Sequence, residues 1–150
     1  MEVMMNITRY ETDVVAWAHQ QAMLLRERRF EYLDFANIAE EIEDVGRSQQ
    51  DELASRMAVL LAHLLKYQFQ PDYGNKRSWL RTIKEQRNRL NARLKKTPSL
   101  KPSISDEEWI ADAWSDAVTS ALKETGLDAD TFPEVCPWEM PDVLQEDWLP

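Results

Sequence analysis

Apolar residues along the middle of the chain keep a helical phase over an unusual length. Phe35, Ile38, Ile42, Val45, Leu53, Met57, Leu60 and Leu64 fall on one stripe, and the eleven residues from Ile42 to Leu53 amount to three turns at about 100° per residue. The pattern predicts one long helix from about Phe35 to Phe69, with Asp34 as its cap and Leu33 and Ile38 at staple spacing. Gly46 interrupts the stripe and costs about 1 kcal/mol relative to alanine inside a helix. A break there is the alternative, but the preserved phase across the glycine favours continuity.

Three further helices follow from the same reasoning. The first spans Asp13 to Arg28, with Thr12 as N-cap and Val14, Trp17, Ala18, Gln21 and Leu25 along its buried face. After a turn over Gln70, Pro71, Asp72, Tyr73 and Gly74, Ser78 caps a helix whose inward residues are Trp79, Ile83, Gln86 or Leu90, and Leu94. "TPSLKPSIS" reads as a loop. Ser105 and Glu108 then have capping-box spacing and Ile104 and Trp109 staple spacing, opening a helix that runs to Thr125. It buries Trp109, Ile110, Ala113, Ala117, Ala121 and Leu122, with Trp114 and Val118 flanking, and Gly126 ends it. The proline-rich tail is extended apart from a short helix from Pro141 to Asp147, and Phe132, Trp138, Leu144 and Trp148 anchor it.

The expected fold is therefore all-α: an antiparallel helical bundle of about four main helices around one long central helix, closed by an aromatic-rich tail. Length supports a single domain over residues 1–150. Hydrophobic residues at 43% and charged residues at 30% suit a globular protein. Only three glycines occur, which disfavours a turn-rich β fold. The best apolar run is interrupted by His63 and Lys66, so no membrane span is expected, and "MEVMMNITRY" lacks the features of a signal peptide. Cytoplasmic residence is the default. The lone Cys136, in "EVCPW", has only acids nearby to activate it and reads as a structural thiol.

Charge changes the picture in one place. The net charge is −9, yet Lys76 to Lys96 holds nine basic residues against Glu85 alone. Arg81, Lys84 and Arg87 in this strip could meet RNA phosphates by counterion release, with Trp79 stacking on a base. The acids of the long helix, Glu40, Glu41, Glu43, Asp44, Asp51 and Glu52, offer an intramolecular partner instead, and the overall negative charge repels a polyanion.

The candidate chemistry lies at the end of the long helix. His63, Lys66 and Gln70 are spaced i, i+3, i+7 and share one stripe, and Arg87 on the following helix would complete a polar cluster. As catalysts, His63 would move a proton and Lys66 would contact a phosphate or an electrophile. As structure, His63 satisfies a buried hydrogen bond and Lys66 lays its stem over apolar surface. The structural reading is the default. Glu40, Glu43 and Arg47 repeat the same spacing, and an i, i+4 ion pair of Glu43 with Arg47 is expected rather than a metal site, because no Glu-x-x-His partner is present. No Gly-rich phosphate loop, H-E-x-x-H or G-x-S-x-G occurs, and no cofactor is called for.

Five segments carry a resemblance to a known family: "YETDVVAWAHQQAMLLRERRF", "NIAEEIEDVGRSQ", "LLAHLLKYQFQP", "SWLRTIKEQR" and "FPEVCPW". Together they resemble a bacterial family, common in cyanobacteria and proteobacteria, called domain of unknown function twenty-nine. Tyr67 stands where many members have tryptophan. The resemblance implies a compact helical fold of cytosolic origin and supplies no reaction to carry over. Two functions are left in view. One is a non-enzymatic interaction module that binds a protein partner or a second copy of itself; the other is an RNA-binding protein or nuclease using the basic helix and His63.

Overall fold

The computed structural model describes residues 6–70 and 74–150, so Pro71, Asp72 and Tyr73 of the expected turn lie outside the described residues, as does "MEVMM". Among the described residues all regular structure is helical: α1 (Val14–Arg26), α2 (Phe35–Phe69), α3 (Lys76–Lys96), α4 (Glu107–Thr125) and a one-turn α5 (Met140–Val143). Short 3₁₀ segments cover Phe30–Tyr32, Pro98–Ser105 and Ala129–Thr131. The fold is all-α, and α2 is unbroken at Gly46. The chain divides into two compact units, one ending at Arg47 and one spanning Ser48–Pro150.

In the first unit, α1 starts one residue later than its sequence suggests. Asp13, not Thr12, is the N-cap, its Oδ1 accepting from the Ala16 N–H at 3.0 Å. The helix stops at Arg26 rather than Arg28 because Arg28 takes a left-handed conformation (φ 57°). The Arg28 and Arg29 N–H groups then close onto Leu25 and Leu24 carbonyls at 3.1 and 2.9 Å, the double closure of a Schellman end. The buried face is rotated from the expected one: Trp17, Gln21 and Leu24 are covered while Val14, Ala18 and Leu25 are exposed. Polar partners set this rotation. Trp17 Nε1 donates to Asp34 Oδ2 at 3.0 Å, and Gln21 Oε1 accepts from the Asp34 N–H at 2.9 Å. Asp34 caps α2 as expected, and its bonds from Asn37 and Trp17 hold its carboxyl below the ordinary carboxylate range.

The expected apolar stripe of α2 splits into two fates. Leu53, Met57, Leu60 and Leu64 are fully buried, whereas Phe35, Ile42 and Val45 are 66%, 67% and 64% exposed. Arg47 spans its own helix, meeting Glu40 at 3.0 Å and Glu43 at 3.6 Å and also pairing with Asp44.

The second unit is an up-down-up arrangement. Arg93 near the end of α3 reaches Glu52 at 2.9 Å while Trp79 near its start lies by Lys66, so α3 runs antiparallel to α2. Trp109 Nε1 donates to the Gln50 carbonyl at 3.2 Å and Glu124 pairs with Lys66, so α4 runs back antiparallel to α3. Three local expectations change. Helix α3 begins at Lys76, ahead of Ser78, with no side-chain cap bond. The "TPSLKPSIS" segment winds into a 3₁₀ stretch that buries Leu100 and Ser103. Asp106, not Ser105, caps α4, its Oδ1 accepting from Glu108 and Trp109 N–H groups at 2.9 and 3.1 Å.

Trp114, expected at the flank of α4, is among the largest fully buried side chains, and Trp109, Ile110 and Leu122 are only half-buried. Trp114 joins the buried Ala113, Ala117 and Ala121, and its N–H reaches the Pro133 carbonyl at 2.9 Å, the partner a buried tryptophan needs. The tail packs on this residue through edge-to-face contacts from Trp114 to Trp138 and from Trp138 to Trp148, at 5.4 and 5.8 Å between centroids. Its helix is shorter than expected, ending at Val143.

Candidate functional site

Lys66 lies in the last turn of α2 and is only 6% exposed. Burying an ammonium group requires a partner, and the fold brings two. Glu124, near the end of α4, forms an ion pair with Nζ, and the Trp79 ring from the start of α3 lies with its centroid 5.8 Å from the same atom. These side chains, with Gln70, Asn75 and Thr125, line a polar cavity of about 220 Å³. Three helix ends thus converge on one ammonium group.

Glu124 was not a sequence candidate, although a local signal exists. An acid in the last turn of a helix opposes the helix dipole, and such a misfit points to a partner elsewhere. Lys66 supplies it.

His63 stands one turn before Lys66, half-buried and outside the lining of that cavity. Its Nδ1 lies 2.8 Å from the Val59 carbonyl; a carbonyl only accepts, so Nδ1 carries the proton and Nε2 is the free acceptor. Burial pushes the imidazole below its ordinary value; the Val59 hydrogen bond opposes this, the nearby Lys66 charge adds to it, and Glu124 opposes it least. The ring is neutral near pH 7.

Arg87 belongs elsewhere. It takes the inward position on α3 for which Gln86 was a candidate, and it is 3% exposed. Its guanidinium holds the tail at three points: Nε donates to the Val143 carbonyl at 2.8 Å, Nη1 to that of Glu146 at 2.9 Å, and Nη2 to that of Trp148. Asn91, one turn on, donates to the Leu144 carbonyl at 3.1 Å. Burial lowers the Arg87 pKa from the usual guanidinium value, with Asp147 opposing. The structure therefore brings Lys66 and Gln70 to one cavity, sets His63 beside them, and places Arg87 in a clamp on the C-terminal segment.

The basic strip divides in the same way. Arg81 and Lys84 are exposed, whereas Arg87 faces inward and Arg93 is tied to Gln49 and Glu52. Of the acids considered as intramolecular partners, Glu52 is met by Arg93, and Glu40, Glu43 and Asp44 are met by Arg47 on their own helix. Cys136 is a covered thiol whose Sγ donates to the Trp138 carbonyl at 3.4 Å, and burial raises its pKa. A raised thiol is a poor nucleophile near neutrality.

The class that fold and site define is an all-α protein whose buried charged side chains tie helix ends and tail together. More particularly, the chain belongs to the family described as Domain of unknown function DUF29, which matches residues 9–149. No curated protein and no solved structure matches it. No described helix is long and apolar enough to cross a membrane.

Proposed function

We propose that this chain is a non-enzymatic interaction module of the bacterial cytoplasm, acting by binding a protein surface. One observation carries the reading: of the thirteen exposed large hydrophobic side chains among the described residues, nine precede Ser48. Single exposed apolar residues are ordinary, but a concentration of them marks an interaction surface. The state of the candidate catalytic groups supports this. Lys66 is spent on Glu124 and Arg87 on three carbonyls, while His63 uses Nδ1 on its own helix and keeps Nε2 as an acceptor. A covered, protonated Cys136 suits a reducing compartment. The test is size-exclusion chromatography with light scattering together with affinity capture from the host. A strict monomer that captures nothing overturns the reading.

The exposed basic face of α3 favours a second reading. Arg77, Arg81 and Lys84 lie side by side on it and are all exposed, an arrangement suited to RNA phosphates. Salt-dependent binding of single-stranded RNA, lost on reversing Arg81 and Lys84, is its signature; no binding at low salt removes it.

A further inference from the structure

Phe35, Ala39, Ile42 and Gly46 recur on α2 at i, i+4, i+7 and i+11, which places them within about 60° of arc. All four are exposed. The same stripe continues seven residues later as Leu53 and then Met57, Leu60 and Leu64, which are buried. The helix thus carries core-type patterning on both halves, and on the first half this stripe is exposed among the described residues.

Gly46 supplies an independent sign. A mid-helix glycine costs about 1 kcal/mol against alanine, and nothing among the described residues requires it: a Cβ built there meets no described atom within 4 Å, and the backbone is not in the left-handed region. The open space at Gly46 leaves room for close approach of another surface.

Resting on the interaction-module reading, we infer that the partner is a second copy of this chain, paired antiparallel through the Phe35, Ala39, Ile42 and Gly46 face of α2. The order of the four residues specifies the occupant. About a two-fold axis midway between Glu40 and Glu41, Phe35 falls opposite Gly46 of the second copy and Ala39 opposite its Ile42, so every pair sets a large side chain against a small one. An isologous interface requires this self-complementarity. The ion pairs of Arg47 with Glu40, Glu43 and Asp44 reduce the like-charge repulsion that two acidic helices would otherwise meet.

Phe35, Ile42 and Val45 expose roughly 350 Å² of side chain per copy, so they contribute roughly 700 Å² to a pair. That is an upper bound and lies below the about 1,200 Å² of permanent interfaces, so the pair is a weak, concentration-dependent dimer.

The experiment is sedimentation velocity with light scattering on the full chain across the micromolar range, with circular dichroism confirming helix content for each variant. Wild type is expected to be a dimer and Ile42→Lys a monomer. Gly46→Leu places a good helix former where the monomer has open space, so it keeps its helix content and weakens the dimer at least about tenfold. Phe35→Ala combined with Gly46→Leu exchanges large and small across the axis and recovers dimerisation. The inference is overturned by a monomeric wild type, by a dimeric Ile42→Lys, or by a Gly46→Leu dimer as tight as wild type. If wild type is monomeric but Ile42→Lys abolishes capture of a different protein, self-pairing fails and the interaction module stands. A monomer whose capture ignores Ile42 sinks both.

Discussion

Replacing Arg87 with alanine removes the clamp that holds the last eight residues. Arg87 is 3% exposed and its guanidinium satisfies the carbonyls of Val143, Glu146 and Trp148. Each hydrogen bond to a charged group contributes about 1.5–3 kcal/mol, but the three share one side chain and are not additive. The Val143 carbonyl is left buried while those of Glu146 and Trp148, nearer the surface, regain water, so a loss of about 3–4 kcal/mol is expected. Arg87→Lys keeps the charge without the planar fork, and its loss should fall between wild type and Arg87→Ala. Urea unfolding followed by tryptophan fluorescence measures this, because Trp138 and Trp148 meet edge to face in the tail. The midpoint should drop in the order wild type, Lys, Ala, and limited proteolysis should cut first beyond Met140. A loss under about 1 kcal/mol with an unchanged tail signal would refute the clamp.

Three further outcomes follow from local physics. Arg28→Gly relieves a left-handed residue at the end of α1 and should raise stability by about 0.5–1 kcal/mol in thermal unfolding; a neutral or lower midpoint contradicts it. Because the His63 pKa is lowered on folding, the unfolded state binds its proton first. Stability is thus unaffected above about pH 6.5 and falls as pH drops from there to the folded pKa, a slope that His63→Gln should flatten in urea titrations between about pH 5 and 7.5. Glu124→Gln leaves the buried Lys66 ammonium without its counter-charge and should cost about 1–2 kcal/mol, while Lys66→Met should cost less or nothing; the reverse order in chemical unfolding would show that the pair is merely superficial.

Periodicity and local chemistry determined the helices of this protein. The phase of Phe35 through Leu64 predicted a 35-residue α2 that ignores Gly46, because helix continuity depends on backbone bonds within the segment. Asp34 and Gly126 were legible as ends for the same reason: capping and left-handed closure are short-range. Caps shifted by one residue, at Asp13 and Asp106, where two neighbouring side chains could each serve and only the chain's path chose between them. The sequence also set His63, Lys66 and Gln70 on one stripe, since i, i+3, i+7 spacing is a property of one helix.

What tertiary structure alone decided is which faces find a partner. Nothing along the chain separates Leu53 from Ile42, yet one is fully buried and the other 67% exposed, because cover is supplied by elements distant in sequence. Arg87 could not be assigned from its neighbours, since its three acceptors lie more than fifty residues away. Glu124 reached Lys66 across 58 positions by the same logic. Helical periodicity is written within a few turns, whereas the partners of a buried charge or an apolar stripe are set by long-range packing, and there the candidate cluster divided into a lysine cavity and an arginine clamp.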